Sequence, residues 1–315
     1  MRYPQFLIAT AMIGLCFPQV LLAQDRAGPT QGGSSQAADE TASGRGDDAD
    51  NRGGPGGGAF PEGKNVFDDN WVTLGLGVAL TPSYTGSNDY RAFPLPVVQG
   101  QLAGVGISPN GPGFALDLIP ERGVNSDYSF GPTIRLRNDR ANNIGDPIVA
   151  LAGELDNAVE VGVKAGTTIR QFGNLLDSVT LSLAASADVA GAHDGVLIEP
   201  SISYFTPVDF GTAVSFSLNA SVVDDNYADY YYSVSAAQSA ASGLPEFSAE
   251  GGLQSVGGNV FIAYDLDGNA INGGLSAVFI GSYSRLLGDA ANTPYTAERG
   301  DPNQFFAGVG LGYTF

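Results

Sequence analysis

Cysteine, histidine, basic side chains and long apolar runs are all scarce in this 315-residue chain. The only cysteine is Cys16 and the only histidine is His193. Lysine and arginine total 14 against 33 acidic residues, a formal charge of −19. Such a balance repels polyanions, so nucleic-acid binding is excluded. The one extended apolar run, Phe6 to Leu22, is broken by Pro18 and is short for a helical span of ~20 residues. No stretch carries a convincing 3.6-residue apolar stripe.

What is present at the start is the layout of a secretory signal peptide. Arg2 precedes the apolar run, and Ala23 stands before the polar Gln24 and Asp25. Cys16 follows Leu15, where a lipoprotein signal requires a small residue, so cleavage is expected after Ala23. Residues 1–23 are then removed and the sole cysteine goes with them. The exported chain can form no disulfide even in an oxidising compartment.

Residues 24–70 form the second expected part. The stretch 24–66 is Gly, Ser, Asp and Pro with almost no large apolar side chain. Nothing in it offsets the entropy of ordering, so it reads as a disordered leader on the periplasmic side. Acidic and basic residues number 9 and 4 in 24–70, and 24 and 9 in 71–315, so the acidity lies mainly in the folded part.

From Trp71 the pattern has period two. Val72, Leu74, Leu76, Val78 and Leu80 alternate with Thr73, Gly75, Gly77 and Ala79, and similar alternation recurs to Phe315. Many of the 44 glycines fall on the polar face, where a soluble sandwich would need bulky core side chains. Several runs approach or exceed the ~9–11 residues of a tilted bilayer-spanning strand. Strands are expected near 72–82, 92–100, 101–108, 113–120, 128–138, 157–171, 178–190, 196–206, 210–224, 252–265, 270–286 and 303–315. Short links alternate with the long ones at 139–156, 225–251 and 287–302, as in transmembrane barrels. The expectation is an all-β, antiparallel barrel over 71–315, of about twelve strands (ten to fourteen), with both termini periplasmic. Its greasy face meets outer-membrane lipid and lipopolysaccharide.

Alternation sends Asp117, Arg135, Arg137, Glu160, Lys164, Arg170, Asp188 and Glu199 to the lumen. There they either pair across strands and fill the interior or line an aqueous pore. His193, in "GAHDG", reads as a solvated loop histidine, because no serine sits in a G-x-S-x-G elbow to make it a base. "DLDGN" at 265–269 echoes a calcium loop, but position 276 is serine where that loop needs glutamate, so it reads as a hairpin turn. "VDDNYADYYYS" reads as an aromatic girdle with a hydrated acidic rim, the alternative being contact with divalent cations or lipopolysaccharide. No catalytic residue, metal site or cofactor is expected.

Three stretches carry a family resemblance. "GLGVALTPSYTGSNDYRAFPLP" matches a G-x-G…P-x-Y-x-G-S…P-L-P pattern at Gly75, Gly77, Pro82, Tyr84, Gly86, Ser87, Pro94, Leu95 and Pro96. "AASGLPEFSAEGGL" and "YSRLLGDAANTP" followed by "NQFFAGVGLGYTF" complete it. Together they resemble the MipA/OmpV family (MltA-interacting protein-like) of Gram-negative outer-membrane proteins, although the long leader departs from its usual member. The resemblance implies a non-enzymatic barrel that scaffolds peptidoglycan-remodelling enzymes of the cell envelope, a lytic transglycosylase and a murein synthase. Other members are described as osmotically regulated surface proteins or adhesins. Val309, Leu311, Tyr313 and Phe315 resemble the C-terminal signal read by the barrel-insertion machinery. The alternatives are a small-solute, porin-like channel and an adhesin acting through its external loops.

Overall fold

The computed structural model describes residues 65–120 and 126–315; the expected signal peptide, its cleavage site and the leader up to position 64 lie outside the described residues. Among the described residues are twelve strands: β1 (Trp71–Pro82), β2 (Tyr90–Leu102), β3 (Val105–Pro109), β4 (Gly113–Asp117), β5 (Ser126–Arg137), β6 (Ala158–Arg170), β7 (Ser178–Asp188), β8 (Val196–Pro207), β9 (Thr212–Val223), β10 (Gly252–Asp265), β11 (Gly274–Leu286) and β12 (Asn303–Thr314). Every neighbouring pair is antiparallel, and β1 meets β12 to close the barrel. Leu76 stands opposite Leu311 at that seam, and the Phe315 amide donates to the Val72 carbonyl at 2.9 Å.

Period-two alternation fixes which face is which. On β1, Leu76 is 67% exposed while Ala79, three residues on, is 1% exposed. The same outward row continues around the wall, through Leu183, Leu218 and Val309. An apolar belt of this extent would be strongly unfavourable in water and is favourable in lipid. Tyr128, Phe172, Phe210, Tyr264, Tyr313 and Phe315 lie exposed near one end of the barrel, where amphipathic rings suit a membrane interface. No helix among the described residues is long and apolar enough to cross a membrane.

That aromatic end carries the short links 103–104, 171–177, 208–211 and 266–273, and it is called the turn end below. The opposite, loop end carries 138–157, 224–251 and 287–302. These hold short helices: α1 (Pro147–Leu151), α2 (Asp225–Tyr232), α3 (Ala236–Ser242), α4 (Gly288–Asn292) and α5 (Pro294–Ala297). The sequence showed no helical stripe, yet α2 has one. Tyr227, Ala228, Tyr231 and Tyr232 are buried at i, i+1, i+4 and i+5. The last residues of the expected leader, from 65, include a 3-10 helix, Val66–Asp68, whose Val66 amide bonds the Ile271 carbonyl at the turn end.

The least regular part of the wall is 92–120. The break expected at 100–101 falls instead at Ala103 and Gly104, both with positive φ (52° and 81°), the two-residue turn that suits a twisted hairpin. β3 and β4 are only five residues each. β2 pairs with β3 only at Gly100–Leu102, so the rest of it, which contains Pro94 and Pro96, is paired with β1 on one side alone. Proline tolerates such an edge because it has no amide hydrogen to leave unpaired.

Glycine on the inner face of β1 has a steric cause. A Cβ built on Gly77 would run into the carbonyl of Val309 on β12. Gly77→Val should therefore destabilise the barrel by about 1–3 kcal/mol, the usual range for overpacking. The lipid-facing Leu76→Val should change little. Heat-modifiable migration of the two variants in detergent gels, followed against urea, checks this; equal midpoints would refute the steric account.

Candidate functional site

Three layers divide the lumen. Nearest the loop end, β5, β6 and β8 aim charges inward. Arg135 and Glu160 face each other across β5 and β6. Glu160, with no exposed side-chain surface, accepts Arg135 Nε at 2.7 Å on Oε2 and Arg137 Nε at 2.5 Å on Oε1. Arg135 Nη2 reaches Glu199 Oε2 at 3.1 Å, beyond β7. The small Ala184 on β7 stands opposite both Lys164 and Glu199 and leaves room for that reach. Burying one carboxylate is tolerable because two guanidiniums surround it.

His193 is not the solvated loop residue the sequence suggested; its side chain is fully buried against this cluster. The preceding Asp188 explains how. Its carboxylate accepts the amides of Ala190, Ala192, His193 and Asp194, which folds the 189–195 loop back over the barrel. His193 Nδ1 accepts the Gly195 amide at 3.0 Å, so its proton lies on Nε2, 3.4 Å from Glu160 Oε1.

The loop cap seats on these charges. The tyrosine run expected to form a surface girdle packs inward instead. Tyr227, Tyr231 and Tyr232 join Leu197, Val223 and Leu286 in one apolar cluster, and Arg137 lies over the Tyr227 ring at 5.2 Å. Burial pushes the Tyr227 hydroxyl up to about 12 and raises Tyr231 further. Asp224 caps α2 by accepting the Tyr227 amide, and Gln254 on β10 donates to the Tyr232 hydroxyl. Arg140, 2% exposed, stacks on Tyr295 at 4.0 Å and donates to the Tyr231 carbonyl, tying three loops together. A polar cavity of about 370 Å³ at this end of the barrel is lined by Arg91, Arg135, Arg137, Asp139, Glu199 and Gln254 among others.

The middle layer departs from the expected bare, polar inner face. Phe93, Leu95, Phe261, Ile280 and Phe306, from four strands, point inward and pack together with Ala79. Around them the wall of β6–β9 is lined by cross-strand hydroxyl pairs: Thr168 with Thr180, Ser182 with Ser201, and Ser203 with Ser217, at 2.7–2.9 Å. Below it, toward the turn end, Arg170 pairs with Asp127 at 2.7 Å. Asp117, Lys164 and Arg170 line a small cavity there, and Asp117 also accepts the Phe130 amide. The "DLDGN" carboxylates are occupied by the turn itself, Asp265 accepting the amides of Asp267 and Asn269.

Two consequences are testable. Glu160→Gln leaves Arg137 without its carboxylate and Arg135 with Glu199 alone, and breaking a buried ion pair costs about 3–5 kcal/mol. Its urea midpoint should fall well below that of Glu199→Gln, whose carboxylate is partly exposed.

The second consequence is acid loosening of the cap. Asp146 caps α1 through the amides of Ile148 and Val149 and accepts Arg299 Nε and Nη2 at 3.0 and 2.7 Å, joining two loops. Burial pushes its carboxyl up, but the Arg299 and amide hydrogen bonds outweigh that and hold it below the usual range. Its contribution is therefore complete above the ordinary aspartate value of about 4 and is lost as the pH falls below it. Protease nicking of 138–157 should rise on acidification, and Asp146→Asn should already show part of that rise at neutral pH.

Among known proteins, the family model described as "MltA-interacting protein MipA" matches residues 74–315. No curated protein matches the chain. Of solved structures, the outer membrane protein OprD from Pseudomonas aeruginosa aligns at 13% identity and TM-score 0.34, over 76% of this chain and 65% of its own. This chain thus spans less than two thirds of OprD's length. An outer membrane channel from Pseudomonas putida F1 aligns at 10% identity and TM-score 0.39, over 84% of this chain and 100% of its own. OmpT of Vibrio cholerae aligns at 11% identity and TM-score 0.30, over 78% and 97%.

Proposed function

We propose that this chain, which belongs to the MipA family, is a non-enzymatic outer-membrane barrel that holds peptidoglycan-remodelling enzymes at the membrane. The family's description names MltA as a partner of its namesake, which supports a lytic transglycosylase as one client; a murein synthase is the second client of this reading. The turn end faces the periplasm in this reading. The even strand number puts the start of β1 and the end of β12 at that same end, beside the short turns. The outward row Val309, Leu311, Tyr313 and Phe315 then serves the insertion machinery.

The observation that supports this reading is an apolar layer inside the barrel. The apolar layer of Phe93, Leu95, Phe261, Ile280 and Phe306 lies between the polar cavity and the turn-end mouth. A scaffold works through its rims and needs no passage.

In-cell photo-crosslinking from Asp209 and Asp267 in the periplasmic turns, and from Glu62 in the leader outside the described residues, tests the reading. The expected adducts are murein synthases and transglycosylases; folded, well-expressed protein giving neither at all three positions overturns it. A porin-like channel is the rival favoured by the charged upper cavity. The wild-type chain in a planar bilayer should show no discrete conductance steps, and regular steps would favour the rival.

A further inference from the structure

At the turn end the lumen opens into a cavity of about 510 Å³ that neither the scaffold reading nor the ion cluster uses. Its walls are mostly apolar, with Trp71, Phe205, Phe261, Ile271 and Val278 among them. Phe67, from the 3-10 helix before β1, stacks edge-on against Trp71 with ring centroids 4.9 Å apart and borders the mouth.

Three polar atoms on this wall lack hydrogen-bond partners among the described residues. They are Trp71 Nε1, Gln99 Oε1 and Asn269 Oδ1, and all three residues line the cavity. Trp71 is only 5% exposed, and its indole is a donor with no alternative tautomer or flip. A buried N–H left unpaired carries a desolvation penalty that native structures almost always relieve. A donor and two acceptors set into apolar walls are the pattern of a small-molecule site.

We propose that this cavity binds an uncharged amphiphile, an aliphatic or aromatic body with a hydroxyl or amide head. Such a head can accept from the Trp71 indole and donate to the side-chain carbonyl of Gln99 or Asn269. The body displaces water from the aromatic walls. The head is uncharged because Asp209 and Asp265 line the same cavity and oppose an anion, while a cation would have to leave water for a mostly apolar chamber. This inference concerns the inside of the barrel and is independent of any protein docked on its rim.

Trp71 is the only tryptophan of the chain, so its fluorescence reports the site directly. The full exported chain in lipid nanodiscs is titrated with a bromo-substituted medium-chain alcohol, whose bromine quenches indole emission on contact. Saturable quenching is expected, with at least about fivefold weaker binding for the matching carboxylate, the loss of roughly one hydrogen bond plus repulsion. Ala263 and Ala213 stand opposite each other on β10 and β9 and both line the cavity. Ala263→Phe, and separately Ala213→Leu, should fill it and abolish the quenching while gel mobility still reports a folded barrel. Calorimetry on Trp71→Phe, which keeps the wall but loses the donor, should show about a fivefold drop in affinity for the alcohol. Quenching that rises linearly without saturation, or that survives in whichever cavity-filling variant folds, overturns the proposal. Equal binding of alcohol and carboxylate overturns the assignment of an uncharged head.

Discussion

A strand inside a bilayer has no water to satisfy its edge, and the rest of this structure follows from that constraint. Each unpaired peptide group in hydrocarbon costs several kcal/mol, so the sheet must close on itself. Closure brings β12 onto β1, and their inner faces become glycine because the two backbones leave no room for a Cβ at Gly77. Antiparallel closure also sorts the links, tight at one end and long at the other. The long links then gather over one mouth with enough chain to build a second, local core from Tyr84, Val149, Val234, Leu244 and Tyr295.

The barrel was legible in the sequence because its signals are local. Period two, strand length and alternating link length each repeat around the wall, and together they locate twelve strands to within a few residues except across 92–120. The interior was less legible because it is made of single residues from distant strands. Phe93, Phe261, Ile280 and Phe306 each look like one lapse in a polar face, and only closure gathers them. The bare run Gly308, Gly310, Gly312 is broken by Phe306 alone, the one local hint of that layer. His193 could not be read as buried, because Glu160 lies on another strand and the fold of its loop depends on Asp188. The tyrosines of α2 misled for a different reason: an acidic aromatic run has the same composition whether it rings a membrane or fills a mouth. The spacing of Tyr227, Tyr231 and Tyr232 was the available clue, eight residues long and surrounded by strands.

The layered lumen places unlike chemistries a short distance apart. The loop end is held by directed bonds around Glu160, which specify one seating of the cap but give no large net stability over a well-packed apolar alternative. The middle is held by undirected packing. The turn end holds an open, mostly apolar cavity.

The bond from the Phe315 amide to the Val72 carbonyl joins the two ends of the barrel's sequence. Its consequence is one of timing. β1 is the first of these strands to leave the ribosome and β12 the last, so the chain holds an unmatched edge until β12 has been made. Nothing shorter than the finished wall can satisfy the seam. Closure thus waits for all twelve strands, and a product cut short of β12 remains an open sheet with no stable place in lipid.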